Sequence, residues 1–279
     1  MECCIFCQGT SFSEKADFFG STQRYQGEKF SYGKCAGCGS LQKLSKGEPD
    51  YTGYVTGDSV SARKVQRIVH LLRENGIGAT DLVLDYGCAQ GALVRELRAR
   101  GFVAEGYEPF SAEFNSIPVG KRYASVLLTH VFEHLPDYGK FFAHLKKITS
   151  LGSIIITIHP SSSRFSRLDP ENPFQQWAVH APFHGALPSD IATKKLFQES
   201  GFRLVKFFPY DVQRSGFWDN SRVSALLFQA LGRTKEGVLR ASRKDKRKVA
   251  FQHSFSFVSA LFFRTKDELA STFVWERMR

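Results

Sequence analysis

The segment from Leu82 to Pro109 constrains the fold of this chain more than any other part of its sequence. A short apolar run ends at Asp85 and is followed at once by a glycine-rich turn. An amphipathic stretch from Ala92 to Arg100 comes next, and a second apolar run from Val103 to Tyr107 ends at Glu108. This order predicts a strand, a tight turn, a helix and a second parallel strand, which is the repeating unit of a doubly wound α/β sheet.

The turn and the two acids that flank it indicate which ligand this unit binds. Gly87 and Gly91 allow the backbone to approach a ligand where a Cβ atom would collide. Glu108, at the carboxyl end of the second strand, is placed to accept hydrogen bonds from the two ribose hydroxyls of an adenosine-containing cofactor. A dinucleotide is one candidate, but Asp85 would repel a pyrophosphate, whereas it suits the ammonium group of an amino acid.

The spacing of the turn, Asp-x-Gly-x-Ala-x-Gly, resembles motif I of the class I methyltransferases that depend on S-adenosylmethionine (SAM), with Ala89 in place of the middle glycine. A predicted strand at 124–130 leads into Val-Phe-Glu-His-Leu-Pro-Asp at 131–137. That string is similar to the signature after the fourth strand of many small-molecule methyltransferases, including sugar methyltransferases. The resemblance covers roughly residues 80–210. It implies a Rossmann-like fold and a SAM site formed by Asp85, Gly87, Cys88, Ala89, Gly91, Glu108, Thr129 and His130.

The chain departs from the family pattern between Pro109 and the fourth strand. Only residues 110–123 lie there, and a helical crossover to a parallel strand alone takes about a dozen residues. We therefore predict that the third strand is missing or vestigial. In the family, the loop after that strand usually supplies an acid that binds the adenine amino group, and no residue here can be assigned that role. Either apolar contacts and backbone hold the adenine, or the cofactor site is degenerate.

Four cysteines near the amino terminus predict a metal site. Cys4-Ile-Phe-Cys7 and Cys35-Ala-Gly-Cys38 are two Cys-x-x-Cys pairs, a spacing that suits tetrahedral zinc in a reducing compartment. Disulfides or a redox pair are the alternative. Cys3 could replace Cys4, but the two-residue spacing favours Cys4. The layout resembles the zinc ribbon that precedes some sugar methyltransferases, and it implies a small-molecule methyltransferase with structural Zn²⁺.

The sequence predicts three parts: a zinc-binding ribbon at 1–50, a linker and lid helix at 51–80, and a methyltransferase domain at 81–279 with a basic insertion near 211–250. Its fold class is α/β, a doubly wound and mostly parallel sheet with the small ribbon module in front. Further patterns predict helices at 61–74, 138–149 and 188–200, and strands at 152–159, 203–208 and 254–263, with the last two antiparallel. Tyr51 and Tyr54 are expected to form a lid over the cofactor or to pack the ribbon onto the larger domain.

The net charge of +11 is concentrated in one segment, since residues 233–248 carry eight Lys or Arg against two acids. A solvated helix face or a mobile insertion would explain it, and so would contact with the phosphates of a nucleotide-linked substrate or of RNA. No aromatic residue interleaves with these charges, which weakens a stacking platform for single-stranded nucleic acid.

Apolar stretches are too short to span a bilayer, and no basic segment leads into an apolar run at the amino terminus. We therefore expect a cytoplasmic protein without membrane contacts. The sequence does not indicate its oligomeric state.

Methyl transfer to an oxygen atom needs an aligned acceptor and a base that removes its proton, and histidine titrates in the suitable range. His130 and His134 are expected one helical turn apart at the carboxyl end of the fourth strand, with Glu133 beside them. His184 lies in a long loop further on. We predict His134 as the first candidate base and His130, Glu133 and His184 as further catalytic candidates. The predicted acceptor is a small molecule, first of all a hydroxyl of a sugar or nucleotide-linked sugar. RNA as substrate and a non-catalytic binding module stay open as alternatives.

Overall fold

A computed structural model describes residues 3–51, 60–116, 119–209 and 270–278. Their strands are β1 Phe12–Phe19, β2 Lys29–Cys35, β3 Leu41–Lys43, β4 Leu82–Tyr86, β5 Val103–Tyr107, β6 Tyr123–Thr129, β7 Thr149–Pro160, β8 Ala186–Leu187, β9 Phe202–Phe208 and β10 Ala270–Arg277. The α-helices are α1 Ala62–Glu74, α2 Ala92–Ala99, α3 Tyr138–Ile148, α4 Pro173–Val179 and α5 Asp190–Glu199. Short 3₁₀ helices span Gln23–Tyr25, Phe132–His134 and Ser162–Arg164.

The described residues divide into two compact units. The first unit contains Met1–Asp50 and Pro160–Ala192. The second contains Tyr51–His159, Thr193–Pro209 and Ser271–Arg279. Among the described residues, no helix combines the length and the apolar character that crossing a membrane requires.

The second unit is built on a six-stranded sheet in the order β5-β4-β6-β7-β10-β9. β4 pairs in parallel with both β5 and β6, β6 pairs in parallel with β7, and β10 pairs antiparallel with β9. Val83, Leu84, Val126 and Leu127 are fully buried, as continuous apolar strands of a parallel sheet must be when both faces are covered. The predicted Rossmann-like α/β fold is thus confirmed, with a mixed sheet.

Helices α3 and α5 pack through aromatic rings beside β7 and β10. Phe132 contacts Phe141 and Phe142, and Phe197 stacks on Trp275 at a centroid distance of 4.3 Å. Asp137 begins α3 by accepting a hydrogen bond from the Lys140 N–H. The packed rings fix the loop between β6 and α3, which contains the predicted Glu-His signature.

β5 is an edge strand of the described sheet. The described residues between Glu108 and Arg122 form turns and bends and contain no strand, in agreement with the predicted loss of the third strand. The other predicted helices and strands up to Phe208 are present, with ends shifted by a few residues.

Sequence analysis did not predict the strand β10, and the strand that it predicted at 254–263 stays a prediction. The strand that pairs antiparallel with β9 is β10, with Thr272 opposite Phe208 and Arg277 opposite Phe202. The segment 254–263 attracted the prediction because it is richer in aromatic residues, whereas β10 ends in charged residues. Residues 254–263, the insertion near 211–250 and the basic segment 233–248 lie outside the described residues.

The first unit contains a four-stranded sheet in the order β1-β2-β3-β8, with antiparallel neighbours throughout. Its core combines residues from both stretches of sequence: Phe18, Tyr32, Leu41, Phe165, Val179 and Leu187. Tyr32 packs edge-on against Phe18, and its hydroxyl donates to the carbonyl of His184 at 2.9 Å. The strands next to the cysteine pairs are therefore anchored by residues from 160–192.

Candidate functional site

Asp85 lies near the end of β4 as a buried carboxylate, with only 2% of its surface exposed. Its Oδ1 atom is buried and has no hydrogen-bond partner among the described residues. Desolvation raises the pKa of Asp85 to about 7; Lys64 opposes this shift and Glu108 adds to it. A buried carboxylate is costly unless it is paired, so Oδ1 of Asp85 is suited to accept a hydrogen bond from a cationic group.

The turn after β4 runs through the left-handed region of backbone conformation three times. Gly87 has φ +80°, Ala89 has φ 50° and Gly91, at the amino-terminal cap of α2, has φ +72°. A Cβ atom on Gly87 would collide with the side chain of Val131, and one on Gly91 would lie 2.5 Å from Cε2 of Phe114. Both glycines are therefore required by conformation and by space, while Ala89 accepts the conformation at a modest cost.

Glu108 ties the end of β5 to this turn. Its Oε2 accepts a hydrogen bond from the Ala89 N–H at 3.2 Å, and its Oε1 accepts one from the Phe110 N–H at 3.3 Å. Cys88 is buried beside the turn, and burial raises the pKa of its thiol to about 12. The structure thus brings Asp85, the glycine turn and Glu108 together at the carboxyl ends of two neighbouring strands.

His130 and Glu133 form the second polar group of this unit, after β6 ends at Thr129. The Nδ1 atom of His130 lies 3.3 Å from Oε1 of Glu133. Glu133 is fully buried, whereas the side chain of His130 is 42% exposed. The predicted spacing of one helical turn between His130 and His134 was wrong, because His130 has φ 59° and precedes a single 3₁₀ turn. His134, half-buried, ends that turn and donates its N–H to the Val131 carbonyl.

His184, the remaining catalytic candidate, is buried in the first unit. Its Nδ1 atom lies 2.6 Å from the carbonyl oxygen of Ala178, and its ring packs edge-on against His180. His180 in turn is hydrogen-bonded through Nδ1 to the Ser21 hydroxyl. These contacts hold both histidine rings inside that unit.

The four predicted metal ligands come together in the first unit. The Sγ atoms of Cys4, Cys7, Cys35 and Cys38 all lie within 4.8 Å of one another. Two of the pairs, Cys4–Cys38 and Cys7–Cys35, are separated by 3.6 Å and 3.5 Å between sulfurs, and no cysteine is in a disulfide. Tetrahedral zinc with Zn–S bonds of about 2.3 Å requires sulfurs about 3.8 Å apart, so this donor set fits the ion. Cys3 is exposed and lies outside the group.

Sequence reasoning did not single out Phe110, whose exposed ring follows Glu108 by two residues. It also missed Val131, whose side chain occupies the space that a Cβ atom on Gly87 would need. The signal for Phe110 was its position next to the predicted ribose acid, whereas Val131 carries no signal without the fold.

A buried acid, a glycine turn and a second acid on the neighbouring strand of a Rossmann-like sheet define a SAM-dependent methyltransferase. A family model described as a methyltransferase domain matches residues 59–206. That match spans more than half of the chain, and the chain belongs to this methyltransferase family. A comparison with curated proteins found no match.

Similar solved structures include three enzymes. Coclaurine N-methyltransferase bound to N-methylheliamine and S-adenosylhomocysteine (SAH) is 14% identical with a TM-score of 0.46, and the match covers 83% of this chain and 75% of that one. The cyclopropane synthase MmaA2 from Mycobacterium tuberculosis is 15% identical with a TM-score of 0.47, covering 77% and 84%. The [4+2]-cyclase SpnF is 10% identical with a TM-score of 0.48, covering 81% and 85%. At these sequence identities and TM-scores, the structural similarity carries no information on the substrate.

Gly87→Ala is expected to abolish measurable SAH binding and to destabilise the protein by more than its backbone conformation alone explains. The left-handed φ costs an alanine about 1–2 kcal/mol, and the collision with Val131 adds to that. Gly101→Ala is the matched control, since Gly101 has φ +87° and open space around its Cβ position. Denaturant unfolding and calorimetry of both variants measure the difference. Equal destabilisation, with SAH binding retained in both, would contradict the role given to the turn.

Proposed function

We propose that the protein transfers the methyl group of SAM to a hydroxyl of a small molecule, with a sugar or nucleotide-linked sugar as the first acceptor class to test. The observation that carries this proposal is the contact of 3.3 Å between His130 and the buried Glu133, at the carboxyl end of β6. Open α/β sheets bind their ligands at this end. An imidazole that is oriented by a buried carboxylate and still exposed is suited to accept a proton from a bound hydroxyl.

The residues of the second unit fit the parts of SAM that the sequence assigned to them. Asp85 would bind the ammonium group, because its Oδ1 is buried and lacks a partner in the described structure. The backbone of Gly87, Cys88, Ala89 and Gly91 would line the cofactor, and Glu108 would accept hydrogen bonds from the ribose hydroxyls. Thr129 and His130 complete the proposed site at the end of β6. Bound SAM supplies a methyl group on a positively charged sulfur.

His130 would take the proton of the acceptor hydroxyl on Nε2, while Nδ1 faces Glu133. The contact with Glu133 would fix which ring nitrogen faces the acceptor. The sequence ranked His134 first, but the contact with Glu133 supports His130 as the base. His134 remains the second candidate, and His184 is proposed as a structural residue.

His130→Ala is expected to lower kcat for hydroxyl methylation about a hundredfold or more, with a smaller effect on SAH binding. His70→Ala is the control, because His70 lies on α1 in an exposed pair with Glu74. Glu133→Gln should give an intermediate loss. The assay follows methyl transfer from labelled SAM to a panel of sugars, sugar nucleotides and tRNA. Wild-type turnover in His130→Ala would remove this residue from the chemistry.

RNA as acceptor was the alternative left open by the sequence. It draws on the cysteine group and on the basic segment 233–248, which lies outside the described residues. Methylation of tRNA in that panel, with affinity that falls steeply as salt rises, would favour RNA over the sugar proposal.

We also propose that Cys4, Cys7, Cys35 and Cys38 bind one structural zinc ion. The support is the proximity of four sulfurs from two separate turns, all within 4.8 Å. The contact between the Cys4 and Cys38 sulfurs lowers the pKa of the Cys38 thiol. An ion held by all four sulfurs would join the amino-terminal turn to the β2–β3 connection.

A further inference from the structure

Glu133 lies on a short turn that has little stability of its own. The 3₁₀ helix Phe132–His134 is a single turn, and such turns make poorer hydrogen bonds than α-helices do. Its closing hydrogen bond is long, because the Leu135 nitrogen lies 3.5 Å from the Phe132 carbonyl oxygen. The orientation of Glu133 therefore depends on contacts from outside the turn.

Tyr138 supplies such a contact. Its hydroxyl donates to the Phe132 carbonyl oxygen at 3.0 Å, and its ring meets the Phe132 ring edge-on with centroids 4.9 Å apart. This carbonyl belongs to the planar peptide unit that joins Phe132 to Glu133, so the hydrogen bond fixes the backbone from which the Glu133 side chain departs. Tyr138 is itself held in place as the first residue of α3, directly after the capping residue Asp137.

The Tyr138 hydroxyl stays protonated, and so remains a donor, at any pH near neutral. The residue is buried, burial raises its pKa well above the ordinary value of 10, and the charge of Glu133 adds to this shift. The Phe132 carbonyl therefore keeps this hydrogen bond under all conditions in which the proposed chemistry would run.

His130 is held from a different side of the site. Its N–H donates to the Ile158 carbonyl of β7 at 2.7 Å, and its Nδ1 atom lies 3.3 Å from Oε1 of Glu133. The backbone of His130 is thus anchored to β7, whereas the backbone before Glu133 is anchored to α3 through Tyr138. The contact between the two side chains depends on both anchors.

We propose that Tyr138 is a positioning residue for methyl transfer, which aligns the Glu133 carboxylate with Nδ1 of His130 through the Phe132 carbonyl. The inference rests on the proposed function, because it takes His130 as the base. Tyr138 acts through the backbone of Glu133 and not by contact with the acceptor. A neutral His130 ring aligned in this way carries its proton on Nδ1, which leaves Nε2 to accept the proton of the acceptor hydroxyl.

Tyr138→Phe keeps the packed ring and removes only the hydroxyl. We expect kcat for hydroxyl methylation to fall about tenfold, because small displacements of catalytic groups are costly, while KM for the acceptor and the affinity for SAH stay unchanged. Tyr123→Phe is the matched control, since Tyr123 is a buried tyrosine of the same unit whose hydroxyl donates to Glu105 at 2.7 Å. That variant should keep the wild-type kcat. An equal kcat in Tyr138→Phe and wild type would overturn the proposal.

A double-mutant cycle separates positioning from a general loss of stability. If Tyr138 acts through Glu133, adding Tyr138→Phe to Glu133→Gln should lower kcat by less than about twofold, because the two changes remove one shared interaction. A further loss as large as that seen in the wild-type background would show that the two residues act independently, and it would overturn the proposal.

The tautomer of the His130 ring gives a readout that requires no activity. In ¹⁵N NMR spectra at about pH 8.5, where histidine is neutral, wild type should show one tautomer with the proton on Nδ1, and Tyr138→Phe should show a mixture. The signals are assigned by their loss in His130→Ala. A single unchanged tautomer in Tyr138→Phe would refute the positioning role. A wild-type protein that methylates no hydroxyl, but shows the tautomer change on Tyr138→Phe, would instead overturn the proposed function and support the alignment of the pair.

Discussion

Asp85→Asn is expected to weaken SAH binding about a hundredfold or more, while it stabilises the ligand-free protein at pH 8. Binding falls because Asp85, which pairs with the ligand ammonium group in the proposed site, is replaced by a neutral amide of the same size. Stability rises because desolvation holds the pKa of Asp85 at about 7, above its ordinary value of 3.8. The charged form is therefore disfavoured in the folded state. As a result, the free energy of unfolding falls as pH rises from 3.8 to about 7. Calorimetry and thermal unfolding measure the two effects.

The matched control is Asp81→Asn, immediately before β4, where the carboxylate accepts a hydrogen bond from the Gly78 N–H in an exposed loop. That variant should bind SAH normally and gain no stability. Weaker SAH binding together with higher stability is the result expected when a buried charged residue serves to bind the ligand. Equal affinity of Asp85→Asn and wild type for SAH would refute the assignment.

The same carboxylate should make cofactor affinity depend on pH. Below about pH 7 the ligand-free protein holds a proton on Asp85, and an ammonium ligand must displace that proton to pair with the charge. Affinity for SAH should therefore fall roughly tenfold for each pH unit below 7 and level off above it, until the ligand amine itself deprotonates. Asp85→Asn should lose this dependence, which titrations from pH 5.5 to about 7.5 would reveal.

The second large effect is expected at the cysteine group. Wild-type protein should contain about one zinc ion per chain, and Cys35→Ser should contain almost none, since three sulfurs hold zinc much less tightly than four. The variant should also lose stability in the first unit, because Cys35 is the last residue of β2. Metal binding contributes directly to folding in such small modules.

Cys3→Ser provides the control for the zinc prediction, because Cys3 is exposed and outside the group. Elemental analysis and thermal unfolding with and without a chelator would be measured on all three proteins. A wild-type protein that is metal-free and fully folded would end the zinc proposal. A disulfide found in protein purified under reducing conditions would favour the redox alternative.

The sequence predicted those parts of the site whose geometry is decided within a few residues. The turn after β4 needs left-handed backbone at Gly87 and Gly91, and that demand is visible as glycine. The Cys-x-x-Cys pairs likewise bring two sulfurs together within one tight turn each. The acid at the end of β5 follows from the strand–helix–strand order alone.

Features that depend on distant contacts escaped prediction. The conformation of His130 is set where its N–H bonds to the Ile158 carbonyl of β7, and no local pattern encodes that contact. The burial of His184 follows from contacts with Ala178 and with the hydroxyl of Tyr32, which lies far away in sequence. The strand β10 was not predicted, and its Trp275 packs on Phe197 of α5, a contact between residues distant in sequence that hydropathy does not report.

In the part of the chain that the structure describes, β5 lies at the edge of the sheet, so the chain on that side can shorten without disturbing the strand that holds Asp85. β4 is paired on both sides, with β5 and with β6, so loss of sequence beyond β5 leaves its register intact. Loss of an inner strand would instead remove a neighbour of the cofactor turn. The β5 edge of the described sheet is therefore the side on which a change of chain length leaves the neighbours of Asp85 in place.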